Sequence, residues 1–100
     1  MLNEKNKKLC AEVIKKYGTG KQTVKIAEEC AELIQAAAKL MGGNRSREVW
    51  INYAEELVDV IVMTEQAKQM LRMTDEELNE LAEYKLEKAL GKEELPFTTD

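Results

Sequence analysis

The chain has 100 residues, 44% apolar and 34% charged, with a formal charge of −4, one Pro and five Gly. That is room for one domain of helix-rich profile, and it argues against disordered, collagen-like and phosphate-tracking proteins, the last of which need a basic excess. Met1 to Lys8 is charged, and no apolar run approaches the ~20 residues of a membrane span, so a cytoplasmic protein with no membrane and no nucleic-acid partner is expected.

Four helices are expected in chain order. The first runs from about Asn3 to Tyr17 and stops at Gly18-Thr19-Gly20, a glycine pair suited to a C-cap. The second runs from about Lys21 to Met41, its apolar positions Ile26, Cys30, Leu33, Ala37 and Leu40 repeating at four and three, the spacing of a seam. Gly42-Gly43-Asn44 stops it. The third spans about Ser46 to Leu71, with Ser46 as a partial cap because Val49, not Glu, stands three residues on. Thr74 with Glu77 forms a capping box that opens the fourth, which continues to about Leu90 and stops at Gly91. No alternation suggests strands. The expectation is an all-α four-helix antiparallel bundle over residues 1–92, with residues 93–100 as a tail.

The third helix carries Val49, Trp50, Tyr53, Leu57, Val58, Val60, Ile61, Val62 and Met63, so it is apolar on nearly every face. Such a helix is a central one, often covered by a second subunit as well as by its own chain, and a homodimer or homotetramer follows as an expectation.

Absences narrow the chemistry. With no His, Ser-His and Cys-His catalysis, His-ligated zinc and Glu-x-x-His di-iron sites are all excluded. Cys10 and Cys30 are not spaced as a metal site and read as small buried apolar residues. What remains is carboxylates, lysines, three arginines and amides, a set suited to hard cations and phosphates.

The acids stand where a core is expected. Asp59 sits inside Leu57-Val58-Asp59-Val60-Ile61, and Glu56 lies ~60° from it around the helix. Glu29 and Glu32 are related in the same way on the second helix, with Lys25 and Gln22 one and two turns earlier. A buried carboxylate must be paired, hydrogen-bonded or bound to a cation. Two antiparallel helices that each present carboxylates at i and i+3 can surround one or two cations, and an all-oxygen set points to Mg²⁺ or Mn²⁺. The pattern EExxE alone carries little: it recurs at Glu76-Glu77-Leu78-Asn79-Glu80, where the capping box accounts for the acids. The pairing with ExxD inside an apolar helix carries the argument.

The arrangement Glu28-Glu29-x-x-Glu32, twenty-three intervening residues, then Glu56-x-x-Asp59, resembles the signature of the MazG-like nucleoside triphosphate pyrophosphohydrolases, members of the all-α NTP pyrophosphatase superfamily. The likeness runs from about Tyr17 to Lys88 and takes in Gln22, Lys25, Ala36-Ala37-Ala38-Lys39 and Glu83-Tyr84-Lys85-Leu86-Glu87-Lys88. It implies Mg²⁺-dependent cleavage of a nucleoside triphosphate between the α- and β-phosphates. Carried over by position, Glu29, Glu32, Glu56 and Asp59 would bind metal, while Glu28 would serve a second metal or act as base for water. Lys25 and Lys85 are candidates for phosphate contact. Gln22, Asn52 and Gln66 would touch nucleotide or satisfy polar groups between helices, and Trp50 and Tyr53 would stack a base or fill the core. A short single domain without the tandem second domain and additional acidic motifs of larger relatives is expected, and base specificity does not transfer with the motif. Two rivals stand beside this reading: a phosphoribosyl-ATP pyrophosphatase-like enzyme, and a non-catalytic helical interaction or regulatory dimer.

Overall fold

The computed structural model describes residues 1–92 and consists, among those residues, of four α-helices and no strand: α1 (Glu4–Tyr17), α2 (Thr19–Met41), α3 (Arg47–Met70) and α4 (Asp75–Ala89). The all-α expectation holds; the tail expected at 93–100 lies outside the described residues. No helix among them is long and apolar enough to cross a membrane.

Local chemistry sets the helix ends. Asn3 caps α1 by accepting from the Asn6 amide at 2.8 Å. Gly18 alone separates α1 from α2, and its φ of +91° explains why glycine stands there, since a side chain disfavours that region. With one residue enough for the break, α2 starts at Thr19, two residues before the position that the glycine pair suggests. Ser46 accepts from the Val49 amide at 3.4 Å and caps α3. The Thr74–Glu77 box is complete in both directions, at 3.1 and 3.0 Å.

Helices α2 and α3, each ~35 Å long, form an antiparallel hairpin across the short glycine loop and make the main interface of the molecule. Ile26, Cys30, Leu33, Ala37 and Leu40 are all half-buried, as a seam facing α3 requires. The register is marked by Gln22, whose Nε2 donates to Oε1 of Gln66 at 2.8 Å; both residues are buried. Helix α1 packs across both partners, placing the buried Cys10 against the Val62 carbonyl.

The backbone of α4 does not approach the other three helices closely, but Leu78 and Asn79 of its first turns line a cavity with Lys7 of α1 and Ile61, Thr64 and Glu65 of α3. The start of α4 is tied down by Asp75, which takes Lys68 at 2.7 Å and Lys7 at 3.0 Å, linking the ends of α1, α3 and α4. Beyond that joint α4 buries no residue. The close backbone packing is thus among α1, α2 and α3, with α4 joined to the bundle through its first turns. The core is correspondingly small, with Cys10, Ala36, Val49 and Met63 its buried apolar residues.

Candidate metal centre

The hairpin register that pairs Gln22 with Gln66 also decides where the acids meet. Seven and ten residues beyond Gln22 along α2 stand Glu29 and Glu32; seven and ten residues back from Gln66 along α3 stand Asp59 and Glu56. The four carboxylates converge, each offering an oxygen within 4.8 Å of every other. Two ligands of one Mg²⁺, at 2.0–2.1 Å each, are at most ~4.2 Å apart, so the cluster is close to the size of one ion's ligand shell.

The acids are not equally placed. Glu32 and Asp59 are exposed, whereas Glu29 and Glu56 are half-buried. Glu29 Oε1 pairs with Lys25 Nζ at 3.5 Å. Its Oε2, and Oε2 of Glu56, are sealed from solvent with no hydrogen-bond partner among the described residues; Tyr84 Oη on α4 is in the same condition. Leaving a carboxylate oxygen dry and unpaired costs on the order of 1–3 kcal/mol or more, a cost that a cation between the helices would offset. Oxygen donors alone, with no imidazole and no thiolate in the cluster, fit Mg²⁺ or Mn²⁺ by their hardness.

The expectation that Asp59 is buried among branched apolar residues needs correction. Asp59 is exposed, and so are its neighbours Leu57 and Val58. Leu57 and Val58 lie on the side of α3 away from α2, and Val58 lines a groove there with Leu9, Cys10 and Val13 of α1.

The other sequence candidates separate. Glu28 is exposed and stands outside the cluster, since one residue along a helix turns the side chain by ~100°. Gln22 is buried with its amide given to Gln66, so of the two roles considered for this pair the structure displays the interhelical one. Lys25 is at the site but bound to Glu29. Lys85, on α4, is exposed, and nothing in the geometry ties it to the four carboxylates of the cluster. Trp50 and Tyr53 contact each other edge to face at 6.3 Å, with Trp50 47% exposed. Sequence reasoning missed the Lys7–Asp75–Lys68 joint. Its signal was faint, because nothing but the N-terminal position of Asp75 on α4 marks it.

Compared with protein-family models, curated proteins and solved structures, the chain gives no match to any of them.

Proposed function

We propose that the chain is a metal-dependent phosphohydrolase. Within that class it is a nucleoside triphosphate pyrophosphohydrolase, converting a ribo- or deoxyribonucleoside triphosphate and water to the monophosphate and pyrophosphate with Mg²⁺ or Mn²⁺, as a homodimer or homotetramer in the cytoplasm. One observation carries this reading. Glu29, Glu32, Glu56 and Asp59 come together from two helices, and the buried oxygens of Glu29 and Glu56 have no partner among the described residues.

The roles follow from placement. Glu29 and Glu56 are held by the hairpin and would form the rigid inner half of a cation site. Glu32 and Asp59, exposed at its mouth, would complete the shell from the side where a triphosphate arrives. A divalent cation held there supplies positive charge to phosphate oxygens as negative charge grows on the leaving pyrophosphate. Glu28, exposed and outside the cluster, would serve a second metal or act as base for water, the role the resemblance gives it. Lys25 balances one of the four negative charges and keeps Glu29 oriented; its ammonium is the nearest cation for a phosphate oxygen that displaces that contact.

The test is phosphate accounting. The purified protein is incubated with each common nucleoside triphosphate, with Mg²⁺ or with EDTA, and pyrophosphate and orthophosphate are assayed separately. Metal-dependent pyrophosphate release, lost in Glu29→Gln and in Asp59→Asn, is the expected result. Orthophosphate alone would mean a different phosphohydrolase. No turnover, together with no thermal shift by metal, would sink the catalytic reading in favour of an interaction module.

A further inference from the structure

The facing sides of α2 and α3 are built in layers. On α3, Asn52, Glu56, Asp59, Met63 and Gln66 lie within ~80° of arc, the side that meets α2. Counted along both helices from the Gln22–Gln66 pair, three residues on stand Lys25 and Met63, then the four carboxylates, and fourteen residues on Ala36 and Asn52. Every polar member of this series is engaged except the last. Gln22 and Gln66 satisfy each other, Lys25 pairs with Glu29, and the carboxylates converge. Asn52 is half-buried, stands opposite the buried Ala36 in this register, and makes no hydrogen bond among the described residues.

Neither the helix nor its packing asks for an asparagine there. Asparagine is a weaker helix former than alanine or leucine, and the methyl group of Ala36 offers a carboxamide no partner. What Asn52 does have is position. It lies one turn, ~6 Å, from Glu56 along α3 and on the same side.

The two ends of the carboxylate cluster differ in charge. Lys25 flanks one end, and the neutral Asn52 flanks the other. A nucleoside triphosphate lying along the seam therefore has its anionic end towards Lys25 and its nucleoside towards Asn52. With the α-phosphate at the carboxylates, the next group within one helical turn is the sugar, and the base lies further out. A carboxamide both donates and accepts, which suits a hydroxyl.

We infer, on the pyrophosphohydrolase reading, that Asn52 is a specificity-determining residue whose carboxamide hydrogen-bonds a sugar hydroxyl of the substrate. It sets the preference among ribose, 2′-deoxyribose and 3′-deoxyribose nucleotides, while the carboxylates and Lys25 hold the phosphates whatever the sugar.

The test varies the sugar with the base held constant. Pyrophosphate release with Mg²⁺ is measured for wild type and Asn52→Ala on a ribonucleoside triphosphate and its 2′-deoxy and 3′-deoxy forms. Loss of one of the two hydroxyls should lower the wild-type kcat/KM by ~10-fold, less than at a sealed polar site because Asn52 is only half-buried, and Asn52→Ala should flatten that difference. Different bases on one sugar should be ranked alike by both proteins. Calorimetry with non-hydrolysable α,β-methylene analogues of the same three sugars should repeat the ranking as affinities, with no turnover needed. Asn52→Ala should keep the thermal rise with Mg²⁺, which shows its fold and carboxylates intact. A wild type that binds the three sugars alike would overturn the inference, and so would an Asn52→Ala protein that keeps the wild-type ranking. Failure of the catalytic reading looks different: no pyrophosphate from any nucleotide and no thermal shift with Mg²⁺, a result that removes the role of Asn52 with it.

Discussion

Two stretches of this chain read EExxE, one on α2 and one on α4, and they come to different ends. On α2, Glu29 and Glu32 face a second helix that brings Glu56 and Asp59 to within 4.8 Å, and two of the resulting oxygens are left dry and unpartnered. On α4, the middle acid Glu77 turns back to the Thr74 amide and completes a cap, while Glu76 and Glu80 look into water. The acids of α4 are explained by the first turn of their own helix. Those of α2 are explained only by a partner helix in a fixed register. A motif of this kind takes its meaning from what faces it.

The sharpest way to break the comparison is to neutralise acids in both places. Glu29→Gln and Asp59→Asn should each lower pyrophosphate release by at least ~100-fold, since removing a direct ligand should cost no less than disturbing a group behind one. Glu76→Gln and Glu80→Gln should stay within about twofold of wild type in the same assay.

Metal binding itself gives the next largest effect. At a cation concentration 100 times its dissociation constant, the folded state gains about 2.7 kcal/mol, readable as a rise in melting temperature with Mg²⁺ or Mn²⁺. Asp59→Asn should lose that increment and Glu80→Gln should keep it.

Register can be tested apart from charge. Gln66→Leu leaves the buried Gln22 amide without its partner and should cost about 1–3 kcal/mol in urea unfolding, with metal affinity falling as the hairpin slips. Changing Gln22 and Gln66 to leucine together should cost less than either change alone. A double substitution that costs the sum of the two would show that the pair does not act as a unit.

The smallest effect expected is at the joint of α4. Hydrogen bonds from Lys68 and then Lys7, with the attraction of both charges, hold the Asp75 carboxyl at about 2, below its ordinary 3.8. A carboxyl lowered by folding contributes stability above its unfolded value, and that contribution disappears as pH falls from about 4 through 2. Because the group is exposed the contribution is modest. Acid unfolding of Asp75→Asn followed from pH 5 to 2 should lack this component, and an acid limb identical to wild type would remove the joint from the account.

Much of this architecture is written locally. Asn3, Gly18, Ser46 and the Thr74–Glu77 box stand where the helices begin or break, and the four-three spacing from Ile26 to Leu40 gives the side of α2 that meets α3. Such signals survive in sequence because capping and periodicity involve residues three or four apart. The pairing of Glu29 and Glu32 with Glu56 and Asp59 was legible too, because a short loop between two long helices leaves an antiparallel hairpin as the simple solution.

What tertiary structure alone decided is which side of each helix is covered. In the sequence, Leu57 and Val58 look like the core around Asp59; in the folded chain all three are exposed, and Val58 lines a groove beside α1. Gln22 reads as a nucleotide contact or a structural amide, and the hairpin register gives its amide to Gln66. Lys7, Lys68 and Asp75 carry no pattern that links them, since their meeting depends on how three helix ends come together. Periodicity states that a helix has an apolar side, but what covers that side is a matter of distant segments, and burial, pairing and the cost of a dry carboxylate oxygen are all set by that cover.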